Sequence, residues 1–230
     1  MSPIHISYFS DLLCVWAYVS QIRLDELKAQ LSDRVQVSYH FINLFGCTKS
    51  RIGDGWSEKG GYQGFSQHVL EVCRGFPEVD INPDVWSHCR PRSSATTHLF
   101  LKAVQLLEHE SIIDSNTTQN KRTLFEELTW NVRCAFFRDA KDISNLNILY
   151  ELAESIHLPI VEIEQRINNG AAMAAWCCDM AQKEEHQLEG SPTWLLNEGR
   201  QKLFGNVGYR IIEANVMELL ENPQDEASWC

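Results

Sequence analysis

The stretch from Ile4 to Ile42 holds the pattern that most restricts the fold. Ile4-His5-Ile6-Ser7-Tyr8-Phe9 reads as a short strand. Val15, Tyr18, Val19, Ile22, Leu27 and Leu31 then fall near helical spacing, with Arg23, Asp25, Glu26 and Lys28 on the other side. Val35-Gln36-Val37-Ser38-Tyr39-His40-Phe41-Ile42 follows, and its Val35, Val37, Tyr39 and Phe41 alternate as one face of a strand does. A strand, a helix and a strand in so short a span make a βαβ unit, so the two strands are expected to run parallel.

Gly46 to Gly64 is rich in glycine and polar residues and reads as loop. From there to about Gln187 helical signals dominate. Ser93 or Ser94 is placed to cap a helix carrying Leu99, Ala103, Leu106 and Leu107. Leu124, Leu128, Val132, Ala135 and Phe136 mark another, and Ser144 opens one with Leu146, Leu149, Tyr150 and Ala153. Pro159 sits at a helix start, and Gly170 precedes an alanine-rich helix from Ala171 to about His186. Then the character changes. Thr193-Trp194-Leu195-Leu196, the turn Asn197-Glu198-Gly199 and Gln201-Lys202-Leu203-Phe204 make a hairpin. Ile211, Ile212, Asn215, Val216, Leu219 and Leu220 form the stripe of a last helix, stopped by Asn222-Pro223. The expected order is β-α-β, a block of helices, then β-β-α: an α/β chain.

Charge narrows the partners. With 31 acidic against 20 basic side chains the net charge is −11, which disfavours nucleic acid and anionic membranes. No apolar run approaches the roughly 18 residues of a membrane span. Leu12 to Val19, the longest near the start, has no preceding Lys or Arg and makes a poor signal peptide, so a cytoplasmic protein is expected. The eight cysteines are irregularly spaced, unlike the framework of a short secreted chain, so most are read as reduced core thiols.

Cys14 stands apart because it lies between the first strand and the helix after it. Ligands of α/β sheets bind at the carboxyl ends of parallel strands, and a helix start presents free N–H groups and partial positive charge. A thiolate there is stabilised, so the thiol is expected to be more acidic and more reactive than a free cysteine. A buried cysteine in an apolar turn is the other reading of the position. Far downstream, Gly190-Ser191-Pro192-Thr193 puts a proline at the start of a strand, where a tight turn makes it cis.

Phe9-Ser10-Asp11-Leu12-Leu13-Cys14-Val15-Trp16-Ala17-Tyr18, Gly190-Ser191-Pro192-Thr193, and Trp130-Asn131-Val132-Arg133-Cys134-Ala135-Phe136-Phe137 with Asp142-Ile143 together resemble the DsbA-type thioredoxin-fold proteins. The nearest branches are the cytoplasmic FrnE-like oxidoreductases and the kappa-class glutathione transferases with their 2-hydroxychromene-2-carboxylate isomerase relatives. The resemblance implies a thioredoxin-like core from residues 1–60 and 188–221, a helical insertion at 61–187 and a tail at 222–230. It makes Cys14 the nucleophile, Trp16, Ala17, Ser191 and Pro192 the walls of its site, and glutathione the cosubstrate. Redox members carry Cys-x-x-Cys; here Ala17 stands at the fourth position, so the motif is Cys-x-x-Ala. Kappa-type relatives have a serine at the place of Cys14 that holds the glutathione thiolate. In them the region of Asn206 and Val207 holds the glutamyl end. The resemblance thus implies a monothiol oxidoreductase, a glutathione-using transferase or isomerase, or a binding module that has lost turnover. A homodimer is compatible with each.

The remaining candidates have plainer readings beside the functional ones. Arg90 and Arg92 precede a helix start and either face an acidic substrate or form a solvated pair. Cys47 follows the second strand on the same edge as Cys14, as a resolving thiol or an incidental loop cysteine. Cys177-Cys178 is either a vicinal disulfide or a packing pair. His68, Cys73, His88 and Cys89 lack metal-ligand spacing, so no metal is expected. His5 and His40 read as strand-face residues, and Cys230 lies in the tail.

Overall fold

The computed structural model describes residues 3–116 and 121–221. Four strands form one sheet: β1 (Ile4–Ser10), β2 (Val35–Phe41), β3 (Thr193–Leu196) and β4 (Gln201–Phe204), in the order β2-β1-β3-β4. β1 and β2 are parallel, as the βαβ pattern requires, with α1 (Val15–Leu31) as the crossover. β3 runs antiparallel to β1 and to β4, so the hairpin forms as expected.

Register fixes the site. Phe9 pairs with Thr193 in the antiparallel ladder. The ladder ends there, and continuing its register by two residues on each strand would bring Asp11 level with Ser191. The Asp11 N–H indeed donates to Ser191 Oγ at 2.9 Å. Cys14 and Ser191, 177 residues apart, are thereby brought to one sheet end.

Between β2 and β3 the chain is helical: α2 (Gly61–Arg74), α3 (Ala95–His109), α4 (Leu124–Phe137), α5 (Leu146–Ser155), α6 (Ile160–Asn168) and α7 (Ala171–Glu185). Their starts follow local chemistry. Thr123 and Glu126 form a capping box at α4, each side chain accepting the other's backbone N–H. α3 starts after Ser94, while Ser93 Oγ accepts the Ala95 N–H. α5 is capped by Asn145, which accepts the Asn147 N–H, and not by Ser144, whose hydroxyl donates to Asp142. Pro159 and Gly170 precede α6 and α7 as expected.

The helices also close the sheet edge. β2 is an edge strand, and unpaired edge groups invite aggregation unless covered. Gln105 of α3 donates to the Tyr39 carbonyl, Trp176 of α7 donates to the Phe41 carbonyl, and Asp179 of α7 accepts the Phe41 N–H. Asp179 also binds Lys102 and His40, so a buried polar cluster joins α3 and α7 to the strand. His40 is thus paired and stacked on Phe9, whereas His5 is exposed.

α8 (Tyr209–Glu221) buries Ile212, Val216, Leu219 and Leu220; Ile211, expected on that stripe, is 55% exposed. Asn222-Pro223, the tail and Cys230 lie outside the described residues. Cys177 and Cys178 are both free and exposed, so they do not pack. The buried residues of α7 are Ala172 and Asp179, on the side that meets β2, and the two thiols lie away from it. Among the described residues no helix is long and apolar enough to cross a membrane.

Candidate active site

Cys14 is the N-cap residue of α1. Its side chain does not cap the helix, because Sγ donates to the Ser191 carbonyl at 3.2 Å. The bond between Ser191 and Pro192 is cis. The Ser191 hydroxyl and the first-turn N–H groups of Ala17 and Trp16 favour a charged sulfur. Burial opposes them and wins: Cys14 is 4% exposed, and desolvation, with the Asp11 carboxylate nearby, pushes the thiol above its ordinary value. The expected acidification is therefore overturned. A helix start lowers a thiol's pKa where water or a counter-charge can share the thiolate, and here nearly all of the Cys14 surface is covered by protein.

Asp11 anchors the loop. Fully buried, it accepts from the Leu13 N–H at 2.9 Å, the Phe45 N–H at 2.8 Å and the Ser94 hydroxyl at 2.8 Å. These donors come from the loop itself, from the segment after β2 and from the start of α3. One carboxylate thus ties three parts of the chain beneath the thiol. Arg133 of α4, also fully buried, donates to the Ala17 carbonyl and to Ser10 Oγ.

Above the thiol lies a cavity of about 260 Å³. Cys14, Val15, Trp16, Gly190 and Ser191 form one wall; Leu44, Phe45, Arg51, Trp56, Phe65 and His68 form the other, with Glu189 and Phe204 at the rim. A Cβ on Gly190 would meet the Phe204 ring at 2.9 Å, so a larger residue there requires that half-exposed ring to shift. Trp56 packs edge-on against Phe65 at 4.9 Å, and the Arg51 guanidinium lies 5.3 Å over Phe45. Burial and the Lys59 charge hold His68 below the usual histidine value.

No family model matches the chain. Solved structures do resemble it. A Nitrosomonas europaea protein inferred to be a protein disulfide isomerase superposes with a TM-score of 0.73, over 96% of this chain and 98% of its own, at 13% identity. The cytosolic disulfide reductase DsbM from Pseudomonas aeruginosa gives 0.66 over 94% and 99%, at 16% identity, and has also been solved with GSH. A 2-hydroxychromene-2-carboxylate isomerase gives 0.60 over 97% and 100%, at 13% identity. The chain has the DsbA-like thioredoxin fold. At these identities the likeness concerns fold and not activity.

Within this DsbA-like fold the sequence candidates separate into two sets. Cys14, Trp16 and Ser191 line the cavity at one sheet end, whereas Pro192, joined to Ser191 by the cis bond, and Ala17, buried in the first turn of α1, lie behind them and do not form its walls. The others stand apart. Asn206 is exposed and Val207 half-buried in the turn after β4, near Pro192 through the Gly205 N–H but outside the cavity lining. Arg92 is exposed and outside the lining too. Arg90 is committed to the Trp86 and Ser87 carbonyls and stacks over Tyr62. Cys47 is free and exposed, and it does not line the cavity. Burial pushes Cys73, Cys89 and Cys134 up to about 11.

Sequence reasoning gave no role to Asp11, Arg51, Trp56, Phe65 or Phe204, and weighed His68 only as a metal ligand. One signal was available: two large aromatics, Trp56 and Phe65, in or beside a stretch otherwise read as polar loop. Asp11 carried a fainter one, an acid set between Phe9 and Leu12-Leu13.

Proposed function

We propose that this chain is a glutathione-linked thiol enzyme working through Cys14 alone, a monothiol disulfide oxidoreductase acting inside the cell. The observation that carries the reading is Cys14 Sγ at the start of α1, 3.2 Å from the Ser191 carbonyl, beneath a cavity that no other cysteine among the described residues lines. In the reaction the Cys14 thiolate attacks one sulfur of a disulfide. A mixed disulfide forms and the other sulfur leaves as a thiolate. An external thiol, with glutathione as the cellular candidate, then attacks the mixed disulfide and frees Cys14. Ala17 at the fourth motif position makes that external step obligatory. DsbM, solved with GSH and described as a cytosolic disulfide reductase, is consistent with this reading.

A second reading has its own observation. A thiol that burial keeps protonated is a hydrogen-bond donor, and Cys14 already donates to Ser191. Turned from the Ser191 carbonyl toward the cavity, that one S–H suits a transferase or isomerase in which Cys14 steadies the thiolate of bound glutathione without forming a covalent bond. Peptide-level mass analysis after incubation with oxidised glutathione separates the two. Peptides are needed because Cys47, Cys177 and Cys178 are exposed. A glutathione adduct on Cys14, lost in Cys14→Ser, is the expected result. Glutathione binding with no adduct at Cys14 would instead establish the second reading, and neither adduct nor binding would sink both.

A further inference from the structure

Four consecutive backbone N–H groups lead the chain into α1, and each has an acceptor. The Asp11 N–H donates to Ser191 Oγ at 2.9 Å, Leu12 to His98 Nε2 at 3.3 Å, Leu13 to Asp11 Oδ1 at 2.9 Å and Cys14 to the Asp11 carbonyl at 3.1 Å. Only one of these acceptors is a base that titrates near neutral pH. His98 reaches the loop from α3, 86 residues away, and is fully buried. An imidazole nitrogen that accepts carries no proton, so the ring's proton sits on Nδ1. That Nδ1 is buried without a hydrogen-bond partner. An unpaired buried donor costs free energy, and the ring keeps this tautomer nonetheless.

The same Nε2 lies 3.7 Å from Asp11 Oδ1. Bare, it holds Leu12. Protonated, it becomes a donor, repels the Leu12 N–H and draws on the carboxylate that also serves Leu13, Phe45 and Ser94. We propose that His98 is a positioning residue for Cys14, its neutral form holding the Asp11–Cys14 loop in working geometry and proton uptake at Nε2 releasing it. The inference rests on Cys14 being the working thiol.

The surroundings set where release occurs. The charged groups facing the ring are Asp11 from the loop after β1, Asp179 from α7, Lys102 from its own helix and Arg133 from α4, two of each sign. Phe41 of β2 stacks on it at 5.4 Å, and Trp176 of α7 lies at 5.9 Å. With the charges opposed, burial dominates and holds the ring below the usual histidine value. Release therefore belongs to the acid side of neutrality, with solvent supplying the proton.

The test is the rate of Cys14 alkylation by iodoacetamide, read by peptide mass, in wild type, His98→Phe and His98→Gln between about pH 5 and 9. Phenylalanine keeps a ring for Phe41 and offers no acceptor. Glutamine offers an oxygen that does not titrate in this range. His98→Phe should slow labelling about ten-fold or more at neutral pH, the scale of one unsatisfied buried donor, and His98→Gln should recover most of the rate. The ratio of wild-type to His98→Gln rates should fall as the pH drops through the ring's titration. A purely structural role would lower melting temperature in both variants without separating their labelling rates. Nitrogen-15 NMR of wild type gives an arm independent of any variant's folding: Nε2 should be unprotonated at neutral pH. Equal labelling of wild type and His98→Phe, a pH-independent ratio, or a protonated Nε2 at neutral pH overturns the proposal. An inert Cys14 in wild type sinks the thiol reading instead, and the nitrogen shifts then still decide whether His98 holds Leu12.

Discussion

The wall of the cavity that carries Cys14 is held by polar pairing between buried groups, whereas the facing wall is held by stacked rings. On the first, Asp11, Ser94, His98 and Ser191 accept or donate at 2.8 to 3.3 Å. On the second, Phe45 stacks on Trp86 at 5.8 Å, Trp56 meets Phe65 edge-on, and Lys59 and Arg51 lie over rings. Hydrogen bonds are directional and weaken steeply when donor and acceptor move out of line or beyond about 3.5 Å. Aromatic contacts tolerate sliding. One wall is therefore suited to fixing a reacting atom and the other to accommodating different substrate shapes. Phe45 belongs to both, its N–H bound to Asp11 and its ring in the stack.

The largest effect should come from breaking the polar wall at its centre. Asp11→Asn replaces an acceptor of three hydrogen bonds by an amide that must turn one N–H group toward a donor. Bonds to a charged group contribute roughly 1.5–3 kcal/mol each, so a loss of about 3 kcal/mol or more in urea unfolding is expected. A loss below about 1 kcal/mol would mean that the loop is held by packing and that the contrast between the walls is false.

That wall was the part least legible in the sequence. The βαβ unit, the hairpin and the last helix follow from local periodicity, and the positions of Cys14 and Pro192 follow from where those strands end. Asp11, Ser94 and His98 meet only after α3 packs against β2 and the loop after β1, across more than 80 residues, as the 83-residue separation of Ser94 and Asp11 illustrates. No local pattern encodes such a meeting. The thiol's acidity was misjudged for the same reason: helix position is a local property, while the 4% exposure of Cys14 depends on Phe45, Trp56 and Phe65 arriving from elsewhere.

The next effect sharpens the comparison at the thiol itself. Because burial raises the Cys14 pKa, the thiolate fraction at neutral pH is smaller than for a free cysteine and grows with pH. Labelling by iodoacetamide should climb about ten-fold per pH unit and keep climbing past the point where a free thiol levels off. A plateau below that of free cysteine would show that the first turn of α1 and Ser191 outweigh burial. Trp56→Ala attacks the other wall. Trp56 is only partly buried, so about 1–2 kcal/mol of stability should go, less than for a fully buried tryptophan. Cys14 should label a few-fold faster with a bulky bimane reagent relative to iodoacetamide, with its pH profile unmoved, since no polar partner of the loop is touched. A shifted profile would mean that the walls are coupled.

The smallest effect concerns the charges at the rim. Arg51 and Glu189 both line the cavity, and both are exposed. Arg51 stacks over Phe45, an exposed cation–π contact of about 0.5–1 kcal/mol at most, so Arg51→Gln should leave thermal stability nearly unchanged. Its effect should be electrostatic. Iodoacetate and iodoacetamide react with a thiolate by the same displacement and differ in one negative charge, so their rate ratio at Cys14 reads the local potential. Removing Arg51 leaves Glu189 facing the thiol, and the ratio should fall about two- to three-fold at low salt; Glu189→Gln should raise it by a similar factor. Both shifts should vanish near 1 M salt, where screening acts within about 3 Å. Persistence of either shift at high salt would show that the side chain acts by moving the aromatic wall and not by its charge, and the division between a fixed and an adaptable wall would then fail at its outer edge.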